Sequence, residues 1–401
     1  MTWTKEDKLL LSCCKRSIDD EKRNDIVEIQ RDIIDWEYFL KKARSEGISP
    51  LVFLEYGKII TNKEIVPDHV TEELEKDYYT NVSRNTILLS KLGNILHVLN
   101  EEGIQVIVLK GAALAETVYG NIALRPMTDV DLLVRKEDML MIDKQLKALG
   151  YFPSDRSIGD IDFSSTYLTT LDYRHASTHS PSFHIHWHFI NSSIPNKHYI
   201  RDIDMEDIWQ DAQKTNIADA ETLVMAPHHL LIHLSEHALR ISHSFNKLIF
   251  FCDMNEAIHF YNEKLDWDML MRYSYKFKLD KMVYFNLYFI SVFLEAKIPG
   301  DLLQELRPKR LYFGEEVFLK AVFNNNRVPG LSYLVHLSMN KGYFRKMRFI
   351  GRTLFPPRHV VAQREYMPKT SVRWRNYLHR VSEVFSHFVK VLFVLAMGFR
   401  K

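Results

Sequence analysis

The spacing of apolar residues predicts helices over the first hundred residues. Between positions 84 and 99 the apolar side chains recur every three or four residues, so a helix places them on one face. Asp35 can cap a further helix over 36–45, and Gly47 can end it. We therefore expect residues 1–100 to form an N-terminal helical region.

From Gly103 onward the pattern changes to short runs of β-branched and apolar residues, which is typical of buried strands. Residues with high helix propensity lie between the first two of these runs, at 112–119, and after the second run, at about 137–149. This pattern predicts an α+β fold whose centre, residues 101–215, is a small mixed sheet. The expected strands are 104–109, 130–134, 167–173 and 183–189.

Helical spacing then returns and continues towards the C-terminus. We expect a helical domain over 216–340 and a basic helical tail over 341–401. The most apolar stretch, 384–399, is interrupted by His387 and Lys390. A membrane span needs about 20 apolar residues, so this stretch is expected to dock as a helix and not to cross a bilayer. The clearest helices are 228–240, 247–261, 267–277 and 281–295.

Two carboxylates stand at the start of the second expected strand. Asp129 and Asp131 are two residues apart, so the pleat directs both side chains to one face. Carboxylates that converge repel each other, and a hard divalent cation with oxygen ligands relieves that repulsion. The pair is therefore a candidate metal site, although most D-x-D pairs are caps or exposed strand ends.

The strand before this pair ends in Lys110-Gly111 and leads directly into a helix. The amides and dipole of a helix N-terminus hold phosphate, the lysine adds a point charge, and the glycine allows close approach of the backbone. Arg125 and Thr128 precede the acidic pair and extend the expected nucleotide-binding set. A strand, K-G, a helix and D-x-D on the next strand together suit a metal-bound triphosphate.

The segment 106–134, VIVLKGAALAETVYGNIALRPMTDVDLLV, resembles the signature of the bacterial uncharacterised nucleotidyltransferases, a family within the polymerase-β-like nucleotidyltransferase superfamily. The similarity continues on both sides of this segment and covers most of the chain. It includes Asp35-Trp36, Gly47, Pro50-Leu51, Arg84-Asn85, His186-Trp187, His237, Asp253 and Phe355-Pro356-Pro357-Arg358.

The resemblance implies transfer of a nucleoside monophosphate from an NTP, expected to be ATP, to an acceptor hydroxyl, with release of pyrophosphate. The acceptor class stays open among small molecules, sugars, peptides and proteins. Asp129 and Asp131 would hold two Mg²⁺ (or Mn²⁺) ions. Lys110 and Gly111 would bind the triphosphate, with support from Arg125. A cleft between the core and the helices is expected at Tyr119, His186, His237 and Asp253.

The family pattern expects a third carboxylate two residues before the His-Trp pair, and here that position is His184. Imidazole is a poor ligand for Mg²⁺, is acceptable to Mn²⁺ or Zn²⁺, and can act as a general base near neutral pH. Three outcomes are open. His184 acts as the catalytic base, a nearby carboxylate such as Asp172 takes over, or the protein binds nucleotide as a regulator without turnover.

Histidines also recur with metal-ligand spacing. The two sets are His184, His186 and His188 on an expected strand, and His229, His233 and His237 on an expected helix. Zinc sites combine three or four convergent ligands with supporting hydrogen bonds, and neither H-E-x-x-H nor a cysteine partner accompanies these residues. We therefore expect His237 and Asp253 to lie at a cleft and the other helix histidines to be partly buried or exposed.

Cysteine usage and charge bear on location and partners. Cys13, Cys14 and Cys252 show no C-x-x-C spacing, and no secretory leader precedes them, so a reducing, cytoplasmic location is expected. The net charge is +2, yet the stretch from Arg307 to the end holds 19 Lys and Arg against 4 Asp and Glu. Such a segment suits RNA, an anionic membrane surface or the acidic part of the same chain, and docking on the chain itself is preferred over nucleic acid.

Overall fold

The computed structural model describes residues 3–16, 18, 20–30, 34–59, 66–154, 158–161, 169–177, 180–190, 203–240, 243–364 and 369–398. A mixed β-sheet lies between an N-terminal and a C-terminal set of helices along the chain. This architecture confirms the α+β fold class expected from the sequence.

The N-terminal region is helical, as predicted. Its helices are α1 (Lys5–Cys13), α2 (Asp20–Gln30), α3 (Trp36–Glu46), α4 (Ser49–Ile59) and α5 (Asp68–Glu101). Asp35 caps α3 by accepting a backbone hydrogen bond, and Gly47 ends that helix in the left-handed conformation with φ of 73°. The helix predicted over 84–99 is the second half of α5, whose buried face continues back through Leu74 and Val70.

The described part of the chain contains one seven-stranded sheet, with strand order β3-β4-β5-β2-β1-β7-β6. The strands are β1 (Val106–Leu109), β2 (Asp129–Val134), β3 (Tyr151–Pro153), β4 (Thr170–His175), β5 (Ser182–His186), β6 (Gln213–Ile217) and β7 (Ala220–Val224). β2 is antiparallel to β1 and parallel to β5, and β5 is antiparallel to β4. The two strands predicted to carry site residues, β2 and β5, are therefore neighbours.

The strands differ from the sequence expectation at both edges of the sheet and at the ends of β4 and β5. The edge strand β3, which has only three residues, was not predicted, and β5 ends at His186 instead of Phe189. The β6–β7 hairpin was not predicted because β6 is an edge strand whose residues, apart from Ile217, are exposed or half-buried and show no apolar alternation. The strand expected over 167–173 appears as β4, and its predicted start at Tyr167 lies outside the described residues. Edge strands need no buried face, so periodicity does not find them.

Of the remaining helices, one follows β1 and one follows β2 along the chain, and the others lie in the C-terminal half of the sequence. They are α6 (Lys110–Thr117), α7 (Met139–Ala148), α8 (Met205–Asp211), α9 (Pro227–Leu239), α10 (Ile249–Tyr261), α11 (Trp267–Lys276), α12 (Asp280–Phe293), α13 (Gly300–Leu306), α14 (Phe313–Phe323), α15 (Ser332–Met339), α16 (Tyr343–Leu354), α17 (Arg358–Arg364) and α18 (Trp374–Gly398). Within the described residues, none of these helices combines the length and apolar character needed to cross a membrane.

The two faces of the sheet belong to different hydrophobic cores. Along β2, Val130 and Leu132 pack in the core that includes residues of α5 and α7, whereas Leu133 belongs to the core formed with α9, α10 and α12. Successive side chains of a strand point to opposite faces. Asp129 and Asp131 therefore project on the same side as Leu133, towards the C-terminal helices.

Candidate active site

Three neighbouring strands bring ionisable side chains to one face of the sheet. Asp131 of β2 lies directly opposite His184 of β5, and His184 lies directly opposite Asp172 of β4. Residues that are directly opposite share a face, and so do residues two positions apart on one strand. Asp129 and His186 therefore join the same group. The sequence predicted the pairs within strands, and the register joins them across strands.

Asp131 is the centre of this group. Its Oδ1 accepts a hydrogen bond from Nζ of Lys110 at 2.9 Å and lies 2.7 Å from Nε2 of His186. Nδ1 of His184 is 3.6 Å from the same oxygen. The Asp131 side chain is only 12% exposed. One carboxylate, largely removed from water, thus holds a lysine and two imidazoles together.

Asp129 lies closer to solvent, with 37% of its side chain exposed. Its Oδ2 is 3.2 Å from Nδ1 of His184, and its Oδ1 accepts a hydrogen bond from the Thr128 hydroxyl at 3.2 Å. On the other side of the ring, Nε2 of His184 is 3.6 Å from Oδ1 of Asp172. The imidazole that replaces the expected third carboxylate therefore lies between Asp172 and the acidic pair.

Lys110 occupies the junction between β1 and α6. It is the first residue of α6, and its φ of 49° lies in the left-handed region that L-residues seldom adopt. Gly111 follows, and a Cβ added there would lie 3.1 Å from Cγ of Met127 and 3.6 Å from Nη1 of Arg125. Glycine therefore allows α6 to begin directly against the loop that leads to the acidic pair.

Electrostatics fix the charge of Asp131 and its partners. Burial acts to raise the pKa of Asp131, but the charge of Lys110, the proximity of His184 and the hydrogen bond from His186 hold that pKa well below its usual value. Burial lowers the pKa of His186 to about 4 in spite of its contact with Asp131. Burial also lowers the pKa of Lys110, and Arg240 adds to this effect while Asp131 opposes it. At neutral pH the carboxylate is ionised and His186 is neutral.

His184 behaves differently from His186. Burial acts to lower the pKa of His184, but the nearby carboxylates of Asp131, Asp172 and Asp129 raise it above the ordinary value. Its surroundings therefore stabilise the protonated ring. A ring stabilised in this form is a stronger proton acceptor than an isolated imidazole.

Arg125 connects the sheet to the C-terminal helices. Its Nε and Nη2 donate to the two oxygens of Asp253 on α10 at 2.9 and 2.8 Å, and the Tyr119 hydroxyl donates to the same carboxylate at 3.0 Å. Arg125 is 12% exposed and Asp253 is 2% exposed. The guanidinium is therefore held in a buried ion pair, and the triphosphate contact predicted for Arg125 stays a prediction.

His237 on α9, which was expected at a cleft, is close enough to Lys110 for the lysine charge to affect its pKa. The His237 ring is 4.4 Å from that of His243, and burial and the charge of Lys110 lower its pKa well below the ordinary value. Sequence reasoning missed two residues near this histidine, His243 and Arg240. Arg240 is buried, and its Nη2 donates to Oε2 of Glu236 at 2.7 Å. The four-residue spacing of Glu236 and Arg240 on an apolar helix was a usable signal.

The donor set fits a divalent transition metal. Asp131, His184 and His186 offer one oxygen and two nitrogens that all lie within 4.8 Å of one another. Asp129 can add a second carboxylate through the oxygen that faces His184. Mg²⁺ prefers oxygen ligands alone, whereas transition-metal ions accept imidazole together with carboxylate. The sequence analysis gave Mg²⁺ and Mn²⁺ as alternative metals, and these residues suit Mn²⁺ better than Mg²⁺.

Neither histidine series converges as a set of three among the described residues. Nδ1 of His188 accepts a hydrogen bond from the Ile190 amide at 3.0 Å, and Nδ1 of His233 is 3.1 Å from the Phe189 carbonyl. His184 and His186 instead meet on Asp131. The periodic spacing therefore did not identify the actual groupings. The expectation that His229 and His233 are partly buried or exposed was wrong, because both side chains pack in the interior.

Comparisons with known proteins bear on this site. The profile of a family described as uncharacterised nucleotidyltransferase matches residues 32–295. Among solved structures, the chain is similar to an antigenic nucleotidyltransferase-like protein from Paracoccidioides brasiliensis, with 15% identity and a TM-score of 0.35 over 54% of this chain and 97% of that chain. The search of curated protein sequences gives no match. Because the family profile spans more than half of the chain and includes the strands that carry the site, the protein belongs to the uncharacterised nucleotidyltransferase family.

Proposed function

We propose that the protein transfers a nucleoside monophosphate from an NTP, with ATP the expected donor, to an acceptor hydroxyl and releases pyrophosphate. The observation that carries this proposal is the placement of Asp129 and Asp131 on one face of β2, beside a lysine that opens a helix. Family membership supports the class of reaction. The metal requirement and the acceptor class belong to the proposal.

The first turn of α6 would hold the triphosphate. Its amides have no partners within the helix, and the ammonium of Lys110 adds positive charge at the same place. Asp129 and Asp131 would hold the divalent ion, which neutralises phosphate charge when bound. Lys110 can then exchange its bond with Asp131 for one with a phosphate oxygen.

We assign the role of general base to His184, which in this role does not bind the metal, so that Asp129, Asp131 and His186 would hold the ion. The acceptor hydroxyl loses its proton to the imidazole, the acceptor oxygen bonds to the α-phosphorus, and the bond from that phosphorus to the bridging oxygen breaks to release pyrophosphate. Asp172 and Asp129 lie on either side of the ring and stabilise the imidazolium that forms. The carboxylate expected from the family pattern is thus replaced by an imidazole with acidic neighbours.

Pyrophosphate release tests this proposal. The full chain would be incubated with ATP, a cell extract as the source of acceptor, and Mn²⁺ or Mg²⁺. We expect release that requires the metal and falls about a thousandfold in Asp129→Asn and Asp131→Asn, since each removes several kcal/mol of charge stabilisation. Asp301→Asn, an exposed carboxylate on α13, is the matched control and should keep full activity. Unchanged turnover in both site variants refutes the proposal.

A second candidate is a nucleotide-binding regulatory protein without turnover, which the replacement of a carboxylate by His184 favours. In that case ATP with Mn²⁺ raises the melting temperature but is not consumed, and His184→Glu gains turnover. Under the enzymatic proposal His184→Ala loses activity instead. The third alternative, an RNA acceptor, requires binding that weakens steeply with salt and depends on the basic tail.

A further inference from the structure

A second group of metal-type donors shares no residue with the Asp131 group. It lies where the end of α8 meets the first turn of α9 and consists of Asp211, His228 and His229. Oδ2 of Asp211 is 3.1 Å from Nε2 of His228 and 3.9 Å from Nδ1 of His229. Two ligands of a tetrahedral zinc ion, each about 2.1 Å from the metal, are about 3.4 Å apart. The observed separations bracket that value.

His229 is the residue that points to a ligand. Its side chain is fully buried, and neither ring nitrogen has a hydrogen-bond partner in the described structure. Buried polar groups are nearly always satisfied, so an imidazole with two unused nitrogens calls for a partner. A neutral imidazole binds a metal through one ring nitrogen, and a metal ion would supply the partner that the His229 ring lacks.

Tyr273 of α11 holds the two rings in place. Its ring stacks on that of His228 with an interplanar angle of 4°, and its ring centroid lies 4.4 Å from that of His229 in an edge-to-face arrangement. Fixed rings bind a metal without a further loss of side-chain freedom. We propose that Asp211, His228 and His229 bind one Zn²⁺ ion that fastens α8 to α9, with water in the remaining coordination position.

Zinc content tests this site. The full chain would be stripped with a chelator, incubated with zinc chloride, desalted and assayed for bound zinc and melting temperature. Asp211→Asn and His229→Phe should each lose one equivalent of zinc and the zinc-dependent rise in melting temperature. Asp131→Asn should keep this equivalent, which separates the site from the proposed catalytic centre.

Asp207→Asn is the matched control, because Asp207 lies one turn earlier on α8 and pairs with Lys276. It should bind as much zinc as the wild type. Equal zinc content in the wild type and in both Asp211→Asn and His229→Phe overturns the proposal.

An independent observation concerns α16 and α18, which turn apolar faces to solvent. The exposed apolar residues of α16 are Tyr343, Phe344, Met347 and Ile350. At 100° per residue these positions share one side of the helix, and the buried Phe349 and Thr353 lie on the other side. Phe344 is 87% exposed. The helix therefore contacts the protein with one side and presents its apolar side to solvent.

α18 repeats this arrangement over a longer distance. Its exposed apolar residues are Trp374, Leu378, Phe385, Phe388, Val389, Leu392 and Phe393. Their spacing of 4, 7, 3, 1, 3 and 1 residues is that of a single helical stripe. We call the exposed apolar residues of both helices the amphipathic face. A stripe of exposed apolar side chains along a helix marks a protein or membrane contact.

The charges beside the amphipathic face distinguish between these partners. Beside the apolar side of α16 runs a row of arginines at helical spacing, Arg345, Arg348 and Arg352. They lie in a segment with a large excess of basic residues. An apolar stripe with aromatic residues and flanking arginines is the pattern of a helix that lies in a membrane interface. We infer that the amphipathic face binds an anionic membrane surface.

Vesicle co-sedimentation tests this inference with the full chain. We expect binding to phosphatidylcholine vesicles with 30% phosphatidylserine to be at least tenfold tighter than to phosphatidylcholine alone. The double variant Phe344→Ser, Phe385→Ser should bind the phosphatidylserine vesicles at least tenfold more weakly than the wild type, because each substitution removes a large apolar group. Arg345→Gln with Arg348→Gln should remove the preference for phosphatidylserine.

Phe152→Ser is the matched control, since Phe152 is 49% exposed on β3 and lies outside the face. It should leave vesicle binding unchanged. A wild-type chain that stays in the supernatant overturns the inference, and so does a dimer in solution that dissociates in the Phe344→Ser, Phe385→Ser variant without any vesicle binding.

Discussion

At the scale of single residues, Lys110 meets three constraints at once. Its side chain is buried, it donates to Asp131, and its backbone has a φ of 49°. The left-handed conformation costs an L-residue about 1–2 kcal/mol, and glycine adopts it without that cost. A lysine at this position therefore has a cost in stability, which its charge beside the acidic pair explains.

Two substitutions separate the side chain of Lys110 from its backbone. Lys110→Ala and Lys110→Gly both remove the ammonium and should both lose ATP binding. Lys110→Gly should be more stable than Lys110→Ala by about 1 kcal/mol, because glycine relieves the left-handed strain. Urea unfolding gives the difference. Equal stability, or a more stable alanine variant, contradicts the strain argument.

Sequence reasoning reached some residues of the site and missed the partners of others. The local spacing of Asp129, Asp131 and Lys110 marked them as candidates that the structure brings together, because strand alternation and a strand–helix junction are local features. The partner of Arg125 is Asp253, which is distant in sequence, and no local pattern pairs them. The position of Asp172 opposite His184 likewise follows from strand register, which a single sequence does not contain.

At the scale of elements, the Arg125–Asp253 ion pair fastens the loop before β2 to α10. We expect Asp253→Ala to lower the free energy of unfolding by about 3–5 kcal/mol, because it leaves a buried guanidinium without its carboxylate. Arg125→Met combined with Asp253→Leu should cost much less than the single substitution. Urea unfolding of the wild type and the two variants provides the test, and a loss below about 1 kcal/mol in Asp253→Ala contradicts this role.

The elements themselves were predicted where a cap or a buried stripe marks them. α3 begins after Asp35 and ends at Gly47, as the capping residues indicate. The helices expected over 228–240 and 267–277 correspond to α9 and α11. The β6–β7 hairpin was missed because the exposed edge strand has no apolar alternation. Local signals thus specify helices and central strands better than edges.

At the scale of the whole molecule, several buried histidines link stability to pH. His336 is an example outside the site: its Nε2 lies 3.2 Å from the Leu239 carbonyl, and burial lowers its pKa to about 4. The folded state thus favours the neutral ring, while the unfolded chain takes up a proton near pH 6.5. The stability contributed by this residue is present above pH 6.5 and is lost as pH falls towards 4.

The substitution His336→Gln tests this linkage, because glutamine keeps a donor for the Leu239 carbonyl but does not titrate. Between pH 6.5 and 4 the variant should lose roughly 3 kcal/mol less unfolding free energy than the wild type. Denaturant unfolding at a series of pH values gives the comparison. Parallel pH profiles for the two proteins contradict the assignment.

The overall charge pattern was informative about the tail but did not define its role. The excess of Lys and Arg was visible in the sequence, whereas the solvent-facing apolar stripes of α16 and α18 depend on which side of each helix packs. The division of the chain into four segments stays a prediction. Which side of a helix is exposed, and where one segment of the chain ends, depend on packing contacts that form only in the folded molecule.

Label transfer from ATP tests the proposed reaction most directly. The full chain would be incubated with Mn²⁺, a cell extract and ATP labelled with ³²P at either the α- or the γ-phosphate. Nucleotidyl transfer predicts that the acceptor gains label from α-labelled ATP only, and that Asp131→Asn abolishes the transfer. Label that arrives from the γ-phosphate, or transfer that persists in Asp131→Asn, contradicts the account.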